Sequence, residues 1–368
     1  MPKQSTPYIY GLDLIRFVSA LMVCIFHLSW QSPQSAWAMP IGWVGVQIFF
    51  VISGVVIAHS ASTATPMGFL KGRFLRLYPV AWIAACLNIF FLTLLPITAF
   101  QAFGLHVNTG ADAIFHSFIL LREPFLTGAY WTLPIELAFY AIIFVSLFFG
   151  GVQHFHRIAR FLAFFSAPYI VLFTLHQQGV IAAPWLDLGY GQKNAMLFRH
   201  GIYFAIGIYL WWLSTNKPMA LVDKAALCIA SVASVFEIHC RSVDIIFVFA
   251  RPTNVWILSA CAISLFLLGV GAIAVSLFKA SHFTPQAWGK KVLRMMGLIS
   301  YPLYLLHEAV GGYFLHVLRE SGIGLFGAIG LAAMVAVLFA YVVAAKLEPG
   351  LRWVIGVVIK RVSPLARA

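Results

Sequence analysis

The sequence predicts an all-α integral membrane protein that crosses the bilayer about ten times. Of its 368 residues, 62% are hydrophobic and only 10% are charged, and the mean hydropathy is +0.92. Soluble domains carry about a quarter charged residues, so this composition cannot supply a soluble surface. The apolar residues form continuous runs of about 20 residues, the length of a membrane-spanning helix, without the alternation of a barrel strand. Helices satisfy every backbone polar group inside lipid.

Ten runs can be placed as spans in chain order. They cover residues 9–30, 41–61, 78–99, 129–150, 159–176, 196–213, 220–239, 252–277, 295–317 and 323–345. Residues 111–127, ahead of the fourth span, are expected to lie in the interface or to re-enter the membrane. Short polar or Pro/Gly-containing loops join the spans. We therefore expect one transmembrane domain over 1–368, with a short cytoplasmic tail from about 346.

The formal net charge of +13 reflects membrane topology rather than nucleic-acid binding. Lys and Arg collect in cytoplasmic loops of membrane proteins. With the spans above, 17 of these residues lie on one side and 6 on the other. Both termini are therefore predicted to be cytoplasmic, and no nucleic-acid partner is expected. The five cysteines have no CxxC spacing and are expected to be packing residues, without a disulfide framework or a metal site.

The first span contains ionisable residues, which are costly inside a membrane and therefore indicate function. Arg16 and His27 are eleven residues apart, which places them on one helix face with ~16 Å between their levels. Asp13 lies one turn before Arg16 and can pair with it. A single intramembrane histidine is often a packing residue, but an arginine on the same stripe favours a polar cavity.

Two further features follow in the second span and the loop after it. Ser53 and Gly54 allow either close helix packing or approach of a ligand to the backbone. Arg73 and Arg76 lie one helical turn apart on the cytoplasmic side. They are either ordinary positive-inside anchors or a clamp for phosphates, which arginine pairs bind well.

The fourth and ninth spans also carry polar stripes. In the fourth, Glu136 and Tyr140 are spaced i and i+4 and follow Trp131, and a His or Arg of the first helix is the expected partner of the carboxylate. In the ninth, Ser300, Tyr304 and His307 form one stripe, and Tyr301 and Glu308 form the next. Four helices with buried polar stripes together favour a functional site.

These residues carry a resemblance. The segments RFVSALMVCIFH, GVQIFFVISG, RFLRLYP, WTLPIELAFY and ISYPLYLLH resemble the membrane-bound acyltransferase family 3, the bacterial glycan O-acyltransferases. The resemblance extends from residue 11 to about 345, and the order and spacing of Arg-x10-His and Arg-x-x-Arg are its most specific elements.

The resemblance implies a multi-pass protein of the bacterial inner membrane. Such a protein takes an acyl group from cytoplasmic acyl-CoA, most often acetyl-CoA, and delivers it to a hydroxyl of a sugar, cell-surface polysaccharide or lipid-linked glycan. Because this chain ends about twenty residues after its last span, it is expected to be a member without the additional periplasmic domain that some relatives carry. The oligomeric state is open, and the partners beside the glycan are membrane lipids.

The resemblance also assigns roles by position. Arg16 and His27 correspond to the essential first-helix pair, Arg73 and Arg76 to the arginines that engage acyl-CoA, and Glu136 to the acidic residue of the fourth-span motif. Ser53 and Gly54 are assigned to donor binding. Trp131, Tyr140, Tyr301 and His307 are assigned to substrate binding, with the role of His307 open.

The chemistry of acyl transfer agrees with these roles. A base must take the hydroxyl proton, and histidine titrates near neutral pH. We expect His27 to be the base and Glu136 to orient it or stabilise its imidazolium. No Gly-x-Ser-x-Gly motif or Cys–His pair is present, so direct transfer is favoured, although an acyl-histidine at His27 stays open. No metal is expected, because no metal-ligand spacing is evident.

Two other classes of protein compete with this hypothesis. A proton-coupled transporter or flippase of a sugar or glycan would also bury Arg, His and Glu in its helices. The two halves of the sequence show no matched broken helices, which argues against it. A regulatory or scaffold membrane protein would have no use for an arginine pair next to a buried histidine.

Overall fold

The computed structural model describes residues 8–29, 39–186, 197–248, 254–280 and 285–362. Fourteen α-helices account for most of this part of the chain, and within it the only strand-like pairing is an isolated bridge between Val107 and Thr127. The helices are α1 Tyr10–Ser29, α2 Val44–Ala61, α3 Pro66–Thr93, α4 Ile97–Gln101, α5 Ala111–Ile119, α6 Thr132–Phe148, α7 Phe155–Gln177, α8 Gly201–Ser214, α9 Leu221–Val248, α10 Val255–Phe278, α11 Ala287–Leu306, α12 Ala309–Glu320, α13 Leu325–Val342 and α14 Glu348–Val362.

Among the described residues, seven helical stretches are long and apolar enough to cross a membrane. They are Tyr10–Ser29, Val44–Ala61, Pro66–Thr93, Gly128–Phe148, Gly151–Gln177, Val255–Phe278 and Leu325–Val358. The all-α, multi-pass class is confirmed. The count of ten spans and the cytoplasmic termini stay predictions.

Two predicted helix boundaries were wrong, and the boundary of the tail is untested. Helix α3 begins at Pro66, whereas the predicted span begins at residue 78, so Arg73 and Arg76 lie in a helix and not in the loop expected there. The predicted span 295–317 is two helices, α11 and α12, separated at His307 and Glu308. The short cytoplasmic tail from about 346 stays a prediction. The chain there is helical to Val362, through a π-helical turn at Val343–Leu347, and residues 363–368 lie outside the described part.

The chain forms two compact units. The first comprises the described residues of Met1–Val23, Pro40–Pro66 and Pro134–Gly297. In this unit α2 packs closely on α8 because glycines face each other. A Cβ on Gly54 would lie 2.5 Å from the Phe204 carbonyl oxygen, and one on Gly207 would lie 2.8 Å from the Gly54 Cα. The two helices can come this close only because glycine carries a hydrogen atom where other residues carry a side chain.

The second unit comprises the described residues of Cys24–Met39, Met67–Leu133 and Leu298–Ala368. An apolar core fixes the chain between α3 and α6 in this unit. Its buried members are Ala85, Leu92, Phe100, Leu105, Val107, Leu126 and Ala309. Two backbone hydrogen bonds join residues 106–108 to residues 126–128. Asn108 N–H donates to the Leu126 carbonyl oxygen (3.0 Å), and Gly128 N–H donates to the His106 carbonyl oxygen (2.7 Å). Thr127 and Gly128 are thereby held at the start of the turn Gly128–Trp131, which leads into α6.

Candidate active site

Two histidines and a carboxylate from distant parts of the sequence meet in the second unit. His27 Nδ1 lies 2.8 Å from His307 Nε2, and His27 Nε2 lies 3.8 Å from Glu308 Oε1. His307 and Glu308 are almost completely buried, whereas the side chain of His27 is 19% exposed. We call these three residues the histidine cluster.

The local helix geometry places the cluster. Helix α11 ends at Leu306 and α12 begins at Ala309, so His307 and Glu308 occupy the break between them. Gly311 in the first turn of α12 faces Leu28, and a Cβ there would lie 3.2 Å from a Leu28 methyl carbon. The glycine therefore lets α12 come close to the end of α1, next to His27.

The hydrogen bonds determine the tautomers of the two rings. His307 Nδ1 lies 2.8 Å from the backbone carbonyl oxygen of Tyr304, which can only accept, so this nitrogen carries a proton. In the neutral ring Nε2 of His307 is then an acceptor, and His27 Nδ1 must donate to it. The basic lone pair of His27 is therefore on Nε2. These assignments follow from the hydrogen-bond network.

Glu308 is held by the backbone of the loop before α6. The amide N–H of Gly128 donates to Glu308 Oε2 at 2.6 Å. The other oxygen faces His27 Nε2 at 3.8 Å, which is longer than a hydrogen bond but close enough for a strong electrostatic interaction with an imidazolium. The arrangement can accept a proton on His27 and stabilise the resulting charge.

The cluster could also be considered as a metal site, since one ligand atom from each of its three residues lies within 4.8 Å of the others. Both nitrogens of His307 are already engaged, Nδ1 with the Tyr304 carbonyl and Nε2 with His27. A metal bound by His307 would have to replace one of these hydrogen bonds. The geometry fits a hydrogen-bonded pair of histidines better than a ligand set. The expectation of no metal stays a prediction.

The predicted donor arginines lie in the same unit. Arg73 and Arg76 are half-buried in the first part of α3, and the Arg73 guanidinium lies 5.7 Å from the centre of the Phe69 ring. Tyr301, predicted to bind substrate, donates its hydroxyl to the Leu77 carbonyl oxygen at 3.3 Å. The tyrosine thus joins α11 to the turn of α3 that carries Arg76.

Helices α3 and α11 run in the same direction. Tyr301 contacts Leu77, and further along Asn88 Nδ2 donates to the Leu305 carbonyl oxygen at 3.0 Å. The twelve residues from Arg76 to Asn88 give a rise of ~18 Å. Because His307 follows Leu305 by two residues, the arginines and the histidine cluster lie at opposite ends of α3.

Glu136 is placed in the first unit with two partners. Its Oε1 accepts hydrogen bonds from the Tyr140 hydroxyl at 2.5 Å and from Ser53 Oγ at 3.2 Å. The predicted pairing of Glu136 with Tyr140 is therefore present, whereas its contact with His27 stays a prediction. Trp131, at the end of the turn before α6, belongs to the second unit and is half-buried.

The other predicted residues of the first unit are Gly54 and Arg16. Gly54 is buried against α8 and so forms the helix-packing contact that was the alternative to ligand binding. Arg16 is half-buried in α1. Asp13, its predicted partner, accepts a hydrogen bond from the Tyr8 hydroxyl at 2.7 Å. The catalytic role of Arg16 stays a prediction.

A second buried polar group, which we call the arginine cluster, was not expected from the sequence. Arg199 Nε lies 2.7 Å from Glu237 Oε1, and Arg199 Nη2 lies 3.2 Å from Asp244 Oδ2. The Tyr203 hydroxyl donates to Glu237 at 2.5 Å. Arg199 is one of the six Lys and Arg residues that the predicted spans place on the side opposite the termini. The signal that could have found the cluster is the i, i+7 spacing of Glu237 and Asp244 on one face of α9.

The comparison with known proteins agrees with the family resemblance seen in the sequence. A family model described as an acyltransferase domain matches residues 9–345, nearly the whole chain. The chain belongs to membrane-bound acyltransferase family 3.

Two relatives match the chain at low sequence identity. The chain is 24% identical to the peptidoglycan O-acetyltransferase OatA of Listeria monocytogenes over 341 residues, which cover 84% of this chain and 50% of OatA. It is 23% identical over 354 residues to a protein of Komagataeibacter xylinus named as a membrane-bound transacylase, BcsY, covering 89% of this chain and 80% of the relative. The chain thus spans about half the length of OatA. No solved structure gives a significant match.

Proposed function

We propose that this family member is an O-acyltransferase of the bacterial inner membrane. It transfers an acyl group, with acetyl as the expected one, from cytoplasmic acyl-CoA to a hydroxyl of a sugar in a cell-surface polysaccharide or lipid-linked glycan. The observation that carries the proposal is the hydrogen-bonded pair of His27 and His307, which puts the basic lone pair on His27 Nε2. The names of OatA and BcsY, an O-acetyltransferase and a transacylase, support the same chemistry.

The first chemical step uses His27 as a general base. His27 Nε2 takes the proton of the acceptor hydroxyl while its oxygen attacks the thioester carbonyl carbon. His307 keeps Nδ1 of His27 as the donor, so the accepting nitrogen is always Nε2. Glu308 at 3.8 Å favours the positive imidazolium that forms.

The second step reverses the proton transfer. The tetrahedral intermediate collapses, the carbon–sulfur bond breaks, and the proton on His27 Nε2 passes to the departing thiolate of CoA. The products are an ester on the sugar and free CoA, and His27 returns to its neutral form. No covalent acyl-enzyme is needed, because the histidine only carries the proton.

The positions along α3 favour a long, extended donor. Arg73 and Arg76 would hold the phosphates at one end of the helix, ~18 Å of helix rise from the level of Asn88. CoA has this form, with a charged nucleotide at one end and the thioester at the tip of a pantetheine arm. The acceptor would then approach from the other end, so the sugar can be modified outside the cell while CoA stays inside.

A mass-spectrometric comparison of cell-surface glycans tests the proposal. Cells without the protein should lose one acyl group from a defined glycan, and the wild-type gene should restore it. The same gene carrying His27→Ala should be inserted in the membrane at normal levels but should not restore the acyl group. The mass that disappears identifies the acyl group.

The experiment has a control variant and a result that would contradict the proposal. His59, exposed in the last turn of α2, is a suitable control, and His59→Ala should restore acylation. If glycans are acylated to the same extent with and without the protein, the proposal is wrong. A glycan that fails to reach the cell surface, with its ester content unchanged, would instead indicate a transporter.

A further inference from the structure

Asn88 is a polar residue in the apolar second half of α3, and its side chain is completely buried. A buried amide costs free energy unless it is hydrogen-bonded. Asn88 Nδ2 donates to the Leu305 carbonyl oxygen at 3.0 Å. Because a carbonyl oxygen can only accept, this bond directs the NH2 group of the amide towards α11. Both residues lie in the second unit, together with the whole histidine cluster.

The bond from Asn88 falls where α11 ends, at the break that carries the histidine cluster. The last carbonyl groups of a helix have no N–H partner within it, so they need partners from outside. At this helix end, the Leu303 oxygen accepts from the backbone N–H of His307 at 3.1 Å, and the Tyr304 oxygen accepts from His307 Nδ1 at 2.8 Å. The next carbonyl oxygen, that of Leu305, accepts from Asn88. The amide therefore holds the peptide group directly after the one that holds the His307 ring.

The Tyr304 carbonyl determines in which direction the histidine pair shares its hydrogen bond. With a proton on His307 Nδ1, the ring accepts from His27 Nδ1, and His27 Nε2 keeps the basic lone pair. In the reverse form His307 Nε2 donates, and the proton of His27 lies on its Nε2, which then cannot take another. The carbonyl opposes this reverse form, because two lone pairs would face each other at His307 Nδ1. Only the first form supplies a base.

A second side chain of α3 makes the same kind of contact away from the histidine cluster. The Tyr78 hydroxyl donates to the carbonyl oxygen of Ile119, the last residue of α5, at 3.2 Å. Both bonds thus join α3 to the carbonyl end of another helix. The end held by Asn88 leads directly into His307, whereas α5 carries no member of the cluster. Tyr78 is therefore a matched control for the anchoring of a helix end.

We propose that Asn88 is a positioning residue for proton transfer: by holding the Leu305 carbonyl it fixes the end of α11, so that the Tyr304 carbonyl keeps the proton on His307 Nδ1. Asn88 acts through His307 rather than on the substrates. The inference rests on the proposed transferase function and adds to it the residue that keeps His27 Nε2 in its basic form.

The rate of acetyl transfer tests the proposal. Membranes of cells that lack the native gene and carry a variant are supplied with radiolabelled acetyl-CoA, and the label in their glycan is measured per molecule of protein. Leucine has the branched shape of asparagine but no donor. We expect Asn88→Leu to lower kcat by ~3–10-fold, the effect of one neutral hydrogen bond, with an unchanged KM for acetyl-CoA. Tyr78→Phe should keep the wild-type kcat.

Two further variants separate the lost bond from a packing fault. Asn88→Ala removes the same donor with a smaller side chain and should lower kcat as Asn88→Leu does. Asn88→Gln keeps an amide donor and should retain more of kcat than either. If Asn88→Gln is as slow as Asn88→Ala, or if Asn88→Leu has the wild-type kcat, the positioning role is overturned.

A double substitution shows whether Asn88 acts through His307. In a His307→Ala background there is no ring to orient, so adding Asn88→Leu should change the rate by less than about 2-fold. An amide that merely stabilises the fold would lower the rate by the same factor with and without the ring. Equal factors in the two backgrounds therefore contradict the proposal.

Nitrogen-15 NMR of the full chain, labelled at histidine and held in lipid nanodiscs, gives an answer that does not depend on catalysis. The spectrum distinguishes a ring nitrogen with a proton from one without. The signals of His307 are identified as those lost in His307→Gln. Wild type and Tyr78→Phe should carry the proton on Nδ1, whereas Asn88→Leu should show a mixture of both forms. An unchanged proton position in Asn88→Leu overturns the positioning role.

Failure of the proposed function gives a different result from failure of this inference. If the wild type transfers no label, the transferase function is wrong, and a changed proton position in Asn88→Leu still supports Asn88 as the residue that orients His307. If the wild type transfers label and Asn88→Leu matches it in both kcat and proton position, the transferase stands and Asn88 only joins two helices.

Discussion

The histidine cluster and the arginine cluster are both buried polar groups, yet their chemistry differs. In the arginine cluster a permanent cation is matched by two carboxylates, and Glu237 has a further donor in Tyr203. Its members come from α8, α9 and the residues just before α8, so the ion pairs hold helices together. Arginine does not lose its proton in proteins, so this cluster cannot exchange protons through its cation.

The histidine cluster differs in that its charge can change. His27 and His307 form a neutral, hydrogen-bonded pair whose basic lone pair lies on a partly exposed ring. Its carboxylate is held at 3.8 Å, beyond hydrogen-bonding distance. Burial and charge alone therefore do not distinguish a group that could act as a base from one that only joins helices. The distinction lies in whether a cluster contains a group that can accept and release a proton near neutral pH.

Removal of the base should give the largest effect on activity and a small effect on stability. His27→Ala should lower the rate of acyl transfer by ~10²–10⁴-fold, the usual contribution of a general base. The midpoint of thermal unfolding should stay near that of the wild type, because His27 is at the edge of the cluster. Single-turnover transfer from radiolabelled acetyl-CoA to an acceptor measures the rate, and wild-type rates in the variant would abolish the assignment.

The arginine cluster should show the reverse behaviour. Arg199→Met leaves Glu237 and Asp244 without their cation, and breaking a buried ion pair in this way costs about 3–5 kcal/mol of unfolding free energy. We expect a marked loss of folded protein, measured by thermal unfolding in detergent. Protein that does fold should transfer acyl groups at a near-normal rate per molecule.

A double substitution sharpens this prediction. In Arg199→Met combined with Glu237→Met, the most deeply buried carboxylate is removed together with its cation, so part of the lost stability should return. If Arg199→Met instead abolishes transfer in fully stable protein, the arginine cluster takes part in function and the contrast with the histidine cluster is wrong.

The sequence predicted single residues of these clusters better than their partners. His27 and His307 stood out because ionisable side chains are rare in apolar helices. Their hydrogen bond could not be predicted, since 280 residues separate them and the pairing depends on which helices are neighbours. Glu308 was noted on a polar stripe, but its position depends on the helix break and on a hydrogen bond from the Gly128 amide. Every residue except proline has a backbone N–H, so the sequence does not indicate which one will bind a carboxylate.

The fold, like the clusters, could be predicted from the sequence only where each element depends on its own residues. Hydropathy predicted the helical, multi-pass class, because lipid imposes that requirement on each span separately. It failed at the start of α3, which extends well before Pro79, and at the junction of α11 and α12. Apolar residues flank His307 and Glu308 on both sides, so hydropathy joined α11 and α12 into one predicted span.

The arginines proposed to hold the donor should affect binding rather than the chemical step. Arg73→Ala combined with Arg76→Ala should raise the KM for acetyl-CoA by ~10–100-fold, as expected for lost hydrogen bonds to a charged ligand, while kcat changes little. Added salt should weaken donor binding in the wild type and much less in the variant. Lys71→Ala, an exposed neighbour on the same helix, is the matched control. Unchanged donor affinity would make the arginines topology anchors only.

The smallest predicted effect tests whether the position of Glu308 matters once His27 is intact. In Gly128→Ala the new Cβ would lie 3.1 Å from Glu308 Oε1 and 3.2 Å from His106 Cβ, so the carboxylate must move by a few tenths of an ångström. A displacement of ~1 Å at a reacting group can cost about 10²-fold, so this shift should lower kcat by roughly 2–5-fold. The KM for acetyl-CoA should not change. Gly330→Ala, where a Cβ meets nothing within 4 Å, controls for a glycine replacement elsewhere in the same unit. If both variants keep the wild-type kcat, Glu308 supports the fold of the loop rather than the charge on His27, and only the two histidines would distinguish this cluster from that of Arg199.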